Sequence, residues 1–496
     1  MKRVLIANRG EIALRIIRAC HEDGIEAVAV YSTADRLSPH VRAADHAVHI
    51  GPAAAAESYL DIAKLLSAAH RAGADAVHPG YGFLAERAAF AEAVVNAGLA
   101  WIGPPPSAIA AMGDKTEARR RMRAAGVPVV PGADAPLTSG AAARAAALDA
   151  GYPVIVKAAA GGGGKGMRLV QAEADLEGAL EAAASEALRS FGDAGVYVEK
   201  FIERPRHVEI QVLADATRTV HLGERECSIQ RRHQKLVEEA PSVAVDSALR
   251  ARMGAAAVAA AAAVGYRGAG TCEFLLTEGG AFYFLEMNTR IQVEHPVTEQ
   301  VYGVDLVREQ LRIARGEPMT VLGDAIAPTG WSIECRITSE EPAAGFLPTT
   351  GTIEYLRPPS GPGVRWDSGV EIGSEVTLFY DSLLAKLIVW APDRPAAIRR
   401  MERALDELVL VGVPTTQGFH RRLMADAEYQ AGAVDIQFLD RRADLVEGRA
   451  SDLDALVAVA AALAEDEARQ SRRVTIAAPG SGPGNWARIG RREGLR

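Results

Sequence analysis

Apolar and polar positions alternate in a readable order from the start of the chain. Val4-Leu5-Ile6-Ala7 is an unbroken apolar run, the mark of a buried strand over 2–8. Ile12, Ile16, Ile17 and Cys20 then recur at helical spacing up to Gly24, and Ala27-Val28-Ala29-Val30-Tyr31 reads as a second strand. Strand signals at 75–78 and 99–103 continue the β-α-β order and predict a parallel, Rossmann-like α/β domain over 1–112. A second region, 113–318, carries short strands and a Gly-rich loop within 128–200, which predicts a smaller mobile lid. The third, 331–440, is mixed α+β, with strands expected at 332–337, 376–379 and 384–390 and a helix at 395–408. The tail, 441–496, reads as an Ala-rich helix near 453–469 followed by the flexible linker Pro479-Gly480-Ser481-Gly482-Pro483-Gly484. The fold class expected is thus α/β and α+β.

Several function classes drop out at this point. The first strand runs into Asn8-Arg9-Gly10-Glu11, without the G-x-G-x-x-G turn that dinucleotide binding requires, so a nicotinamide dehydrogenase is disfavoured. The apolar stretch 255–264 is about half the ~20 residues of a membrane span, and the opening apolar run is too brief for a signal-peptide core. A formal charge of −8 argues against coating nucleic acid or an anionic membrane. Cys20, Cys227, Cys272 and Cys335 are too dispersed for a disulfide framework or metal pair, which suits a cytoplasmic setting. Only eight of the 55 basic residues are lysines, so where they fall is informative.

Two of them flank one loop. Val154-Ile155-Val156-Lys157 is a strand, Gly161-Gly162-Gly163-Gly164-Lys165-Gly166 a loop, and Met167-Arg168-Leu169-Val170 a further strand. Glycines let backbone N–H groups approach a polyphosphate, and Lys157 and Lys165 supply charge. A Walker A loop would need Ser or Thr after Lys165 and a helix after the loop. Further on, strands at 271–276 and 282–286 meet at Gly279-Gly280, and a two-residue turn there sets Glu273 directly opposite Glu286. Facing carboxylates call for a cation between them or a shared proton. Continuing by twos places Glu286, Asn288, Arg290, Gln292 and Glu294 on one strand face, and hard oxygen donors beside an arginine suit Mg²⁺ with phosphate. Gln230-Arg231-Arg232-His233-Gln234-Lys235 reads as a charged loop, Cys227 as structural, and Arg336 as an arginine needing a carboxylate or anionic ligand within an apolar strand.

Taken together, ordered segments over residues 2 to about 440 resemble biotin carboxylase, the ATP-grasp family that carboxylates protein-bound biotin. They include Ile6-Ala7-Asn8-Arg9-Gly10-Glu11, His78-Pro79-Gly80-Tyr81-Gly82-Phe83-Leu84, Met112-Gly113-Asp114-Lys115, Glu226-Cys227-Ser228-Ile229-Gln230-Arg231-Arg232-His233-Gln234-Lys235, Glu286-Met287-Asn288-Thr289-Arg290-Ile291-Gln292-Val293-Glu294-His295, Glu334-Cys335-Arg336-Ile337 and Tyr380-Asp381-Ser382-Leu383-Leu384-Ala385-Lys386. Ala85 and Arg87 stand where the family usually has Ser and Asn.

The resemblance implies a central ATP-grasp domain and a set of roles. ATP contacts would come from Lys115, Lys157, Gly161, Gly162, Gly163, Gly164, Lys165, Gly166, Met167, Glu199, Lys200, Phe201, Ile202, His207, Gln230, His233 and Leu275. Two Mg²⁺ or Mn²⁺ ions would be held by Glu273, Glu286 and Asn288. Lys235, Arg290, Gln292 and Val293 would position bicarbonate, Glu294 would be its base, and Arg336 would stabilise the biotin enolate-like oxygen. Partners implied are a biotin carboxyl carrier protein, a carboxyltransferase and a second copy of the chain; acetyl-CoA carboxylase is the expected pathway, with pyruvate, propionyl-CoA or methylcrotonyl-CoA carboxylase as alternatives. No lysine follows Lys386, so the biotin is expected on another polypeptide. The competing readings are an acid–amine ligase of the same fold and a partner protein that keeps the fold without catalysis.

Overall fold

Val4, Leu5 and Ile6 are fully buried, as a strand covered on both faces by helices must be. They form β1 (Arg3–Ile6), which pairs in parallel with β2 (Glu26–Ser32) on one side and β4 (Ala76–His78) on the other. With β3 (His46–Gly51) and β5 (Ala100–Trp101) the order is β3-β2-β1-β4-β5, all parallel. Helix Gly10–Glu22 turns the predicted stripe of Ile12, Ile16, Ile17 and Cys20 onto this sheet.

The computed structural model describes residues 1–133, 137, 140–158, 167–191, 195–321, 327–448, 460–461 and 463–465. The predicted phosphate loop, Gly161–166 with Lys165, and the 479–484 linker lie outside them. Chain contacts define one unit over Met1–Glu447 and a second over Gly448–Arg496; in the second, residues 460, 461 and 463–465 are helical.

The lid sheet has the order β7-β6-β8, from β6 (Val154–Ala158), β7 (Arg168–Val170) and β8 (Val196–Lys200). Helices Gly140–Ala150 and Leu176–Phe191 close its core around Val154, Val156, Val170 and Val198. The main platform is an eight-stranded antiparallel sheet. It runs from β13 (Phe282–Asn288) and β12 (Gly268–Leu276) through β9 (Arg206–Ala214), β10 (Thr219–Arg231), β11 (Gln234–Ala240) and β14 (Trp331–Thr338) to strands Leu383–Ala391 and Val364–Ser368. The β11–β14 pairing thus joins strands of the second and third sequence regions in one sheet. Helix Ser247–Ala262, capped by Asp246 at the Leu249 N–H (2.7 Å), covers β9 and β12 and accounts for the apolar 255–264 run. The strand expected over 376–379 extends only over Glu375–Val376, and Leu378 and Phe379 are exposed. No helix among the described residues is long and apolar enough to cross a membrane.

Several imidazoles are sealed in these cores. Burial pushes His40 and His420 down to about 4 and His78 to about 3, from an ordinary 6.5. A depressed folded pKa means that the unfolded chain takes up protons first, so stability is full above pH 6.5 and is lost as pH falls towards 4. The expected slope is at most about 1.4 kcal/mol per pH unit for each group. Denaturant midpoints from pH 7 to 4.5 check this, with His420→Gln flattening the curve.

Candidate active site

The site is built on the β12–β13 hairpin. Glu273 does pair with Glu286, but not through a two-residue turn. The Thr277 N–H donates to Ala281 O, so the loop has a third residue, Glu278, and Gly280 takes the left-handed φ of +77° that such a loop needs. A bulge between the Glu273 and Phe274 pairs then shifts the register back, with Leu285 turned to solvent. The facing acids are thus reached by two compensating irregularities. The strand also ends at Asn288 rather than continuing to 294, and Glu294 instead stands at the N-terminal end of helix His295–Tyr302.

The side chains nevertheless converge. Lys235, at the start of β11, places its Nζ 2.5 Å from Glu209, 2.9 Å from Glu273 and 2.7 Å from Glu294, all buried. Asn288 and Gln292 donate to Glu273 Oε1 at 2.8 and 3.1 Å, and His207 Nε2 lies 2.9 Å from Oε2. Burial pushes the Glu273 carboxyl up, but Lys235 and His207 hold it well below the usual range. Glu294 is similarly depressed against its burial by Lys235, Arg336 and Arg225. Arg336 reaches Glu238 at 2.5 Å and Glu294 at 3.0 Å, which supplies the carboxylate partners its strand position required. Arg290 donates to Glu86 at 2.9 Å, to Gln292 Oε1 at 3.0 Å and to Asn288 Oδ1 at 3.0 Å. Glu86 lies between Ala85 and Arg87, so the two departures from the family pattern leave the acid that holds Arg290. The Val293 carbonyl accepts from Lys386 at 2.8 Å.

Glu286 has a different environment. Its side chain has no hydrogen bond among the described residues and is exposed on the terminal strand of the sheet. Its carboxyl is nevertheless raised, by desolvation first and by Glu273 second, with Lys115 acting against both. The His207, Glu209 and Glu273 donors also lie within 4.8 Å of one another, but Lys235 already neutralises the two acids.

Across the cleft, Lys157 contacts Glu199 at 2.7 Å, and Arg119 also pairs with Glu199. The Lys200 ammonium donates to the lid carbonyls of Gly151 and Tyr152 at 2.9 and 3.0 Å, and the Phe201 N–H to Pro153 O at 3.0 Å. Ile202 and Met167 are half-buried, and Leu275 pairs with His207 in the β9–β12 register. Gln230 and Lys235 pair near the turn of the β10–β11 hairpin. The predicted charged loop is the tip of this hairpin, where Arg232 and His233 hold positive φ of 49° and 68°. That turn ordinarily takes Asn-Gly. Arg232→Gly should therefore raise stability by about 1 kcal/mol, read as a shift in denaturant midpoint.

Sequence reasoning missed Glu209, Arg225, Glu238 and Glu86. Arg225 is fully buried and donates to Glu209, to Gln211 at 2.7 Å, to Thr298 at 2.8 Å and to Thr271 at 2.9 Å. The signal was present: His207, Glu209 and Gln211 alternate with Val208 and Ile210, which marks a polar face on an otherwise apolar strand.

Family models match nearly the whole of the larger unit. They are the biotin carboxylase N-terminal domain over 1–109, the carbamoyl-phosphate synthase L chain ATP-binding domain over 114–322, and the biotin carboxylase C-terminal domain over 334–441. The chain belongs to the biotin carboxylase family. As a biotin carboxylase it is an ATP-grasp ligase. It is 55% identical to the biotin carboxylase of Nostoc over 438 residues, 88% of this chain and 98% of that one. It is 52% identical to a pyruvate carboxylase subunit of Methanothermobacter thermautotrophicus, over 88% of this chain and 89% of that one. The Campylobacter jejuni biotin carboxylase, solved as a nucleotide complex, superposes with a TM-score of 0.83 at 47% identity, over 89% of this chain and 98% of that one. The biotin carboxylase domain dimer of Hydrogenobacter thermophilus 2-oxoglutarate carboxylase, solved with MgADP and bicarbonate, gives 0.83 at 45%, over 90% and 99%.

Proposed function

We propose that this biotin carboxylase uses ATP and bicarbonate to carboxylate biotin on a separate carrier protein, as the first half-reaction of a cytoplasmic acetyl-CoA carboxylase. The observation carrying this reading is the convergence of Lys235, Glu294, Arg290 and Arg336 beside the Glu273–Glu286 pair. In it, Arg290, Gln292, Val293 and Lys235 hold bicarbonate, and Glu294 removes its proton. Lys235 and Arg336 tie Glu294 down in the structure; an anion that draws these cations away makes Glu294 the stronger base. Ionised bicarbonate attacks the γ-phosphate, giving carboxyphosphate and ADP. Carboxyphosphate breaks to CO₂ and phosphate, phosphate takes the ureido proton, and the ureido nitrogen attacks CO₂. Arg336 steadies the developing ureido oxyanion.

The donor set suits a hard divalent cation. Glu286 is unpartnered among the described residues and faces Glu273, and Asn288 adds an amide oxygen. These three would hold Mg²⁺ or Mn²⁺, which when bound supplies charge neutralisation to the transferring phosphoryl group. The ATP contacts are Lys115, Lys157, Met167, the 199–202 segment, His207, Gln230, His233 and Leu275, with Gly161–166 and Lys165 completing the lid. The same reading divides the chain into domains 1–112, 113–318 and 331–440, and includes a homodimer and a separate carboxyltransferase.

The pyruvate carboxylase relative from Methanothermobacter supports a second reading, with pyruvate as final acceptor. Labelled bicarbonate, ATP and a biotinylated carrier test the function: label is expected on the carrier. ATP cleavage without any response to biotin would instead favour an acid–amine ligase. Carboxyltransferases for acetyl-CoA and pyruvate, each added to the labelled carrier, separate the acceptors.

A further inference from the structure

Glu334 on β14 is fully buried, and neither carboxyl oxygen has a hydrogen-bond partner among the described residues. The β11–β14 register sets it directly opposite Glu238, which is also fully buried. Paired residues of an antiparallel sheet share a face, with Cβ atoms about 5 Å apart. Glu238 gives one oxygen to Arg336 at 2.5 Å, and its Oε2 is without a partner. Three buried carboxyl oxygens on one sheet face are therefore without a protein donor. Two ionised acids there would repel, whereas one proton between them supplies the missing donor.

The groups facing Glu334 limit where that proton can rest. Lys386 comes from strand Leu383–Ala391, Arg336 and Cys335 from β14, Glu238 from β11, Glu294 from the end of helix His295–Tyr302, and Tyr81 from the loop after β4. Lys386 is the counter-charge that acts most on Glu334, but its Nζ is engaged by Val293 O at 2.8 Å and Glu11 at 3.1 Å. Arg336 is committed to Glu238 and Glu294. Burial first, with Glu238 adding to it against Lys386, raises the Glu334 carboxyl well above the usual range. Glu238 is pushed up to about 7, by burial against the pull of Arg336.

We propose that Glu334 is a positioning residue: held as the neutral acid, it donates its proton to Glu238 and so fixes the Glu238–Arg336 clasp that aims the guanidinium at biotin. The proposal rests on the reading of Arg336 as the group that meets the ureido oxygen. Glu334 touches no substrate; it acts through Glu238. When Glu238 itself takes a proton, the clasp on Arg336 is released.

Two measurements on the full chain test this. Infrared difference spectra of the wild type against Glu334→Gln at pH 8 should show a protonated-carboxyl band that the variant lacks. The pH profile of kcat/KM for free biotin, read as biotin-stimulated ATP cleavage, should fall on the acid side near pH 7. Glu334→Leu removes the donor, raises the Glu238 carboxyl further and moves that limb upward. At pH 7 the loss in kcat/KM for biotin is about tenfold, with the KM for ATP changed by less than about twofold. Glu334→Gln, whose amide donates in place of the acid, restores the limb. Absence of the band, or identical pH profiles for the Leu and Gln variants, overturns the proposal. Should Arg336→Ala leave biotin kinetics untouched, the Arg336 reading falls and takes the positioning role with it, although the band remains.

Discussion

Glu294→Gln lowers bicarbonate-dependent ATP cleavage by about 10²–10⁴-fold, the range expected for loss of a positioned general base. Glu294 is the point where the two cationic arms meet: Lys235 at 2.7 Å holds one oxygen and Arg336 at 3.0 Å the other. An amide keeps the shape and one acceptor oxygen but cannot take a proton. The charge change is tolerable because Lys235 keeps Glu209 and Glu273, and Arg336 keeps Glu238. The variant should therefore fold, and retention of the wild-type circular dichroism spectrum and nucleotide affinity separates loss of chemistry from loss of structure. Arg290→Ala should fall comparably, because Arg290 ties Asn288, Gln292 and Glu86 into one surface. Near-normal turnover in both variants would sink the assignment of this cluster as the bicarbonate site.

How much of this was legible in the sequence depended on what fixed each feature. The parallel N-terminal sheet was readable because Val4-Leu5-Ile6 and Ala27–Val30 are continuous apolar runs, a pattern that burial on both faces imposes locally. The facing of Glu273 and Glu286 was also readable, although the turn and the bulge that produce it were not. A bulge leaves no mark in hydrophobic periodicity when the extra residue is an apolar one such as Leu285. The strip from Glu286 to Glu294 was read as one strand face, whereas the polypeptide leaves the sheet at Asn288 and turns into a helix. Only Asn288, Arg290 and Gln292 meet through mutual hydrogen bonds, while Glu294 is held by Lys235 and Arg336. The acids that hold Lys235 and Arg336 were least legible. Glu238 meets Arg336 only because β11 pairs with β14, almost a hundred residues further on, and Glu209 reaches Lys235 across the intervening β10. Three-dimensional pairing of that kind follows from register, which no single segment encodes.

Lys235→Met is expected to destabilise the protein by about 3–5 kcal/mol, because it removes the shared cation from buried ion pairs. Glu209, Glu273 and Glu294 each lose a partner at once. Their remaining cations, Arg225, His207 and Arg336, sit at the periphery of the cluster rather than between the acids. Arginine is a poor substitute: a planar fork cannot place one point of charge among three carboxylates as an ammonium does. The pH dependence identifies the cause. In the wild type, Glu273 and Glu294 are held below the ordinary carboxylate range, so their stabilisation is present above about pH 4.5 and is lost as pH falls. Without Lys235, burial dominates, the same carboxyls rise, and the folded variant binds protons that the unfolded chain releases. The deficit should therefore be largest near pH 8 and shrink towards pH 5, as read from denaturant midpoints of the two proteins. A deficit that is constant with pH would point to lost packing of the lysine stem, and a deficit under about 1 kcal/mol would mean that Lys235 is not what holds these acids together.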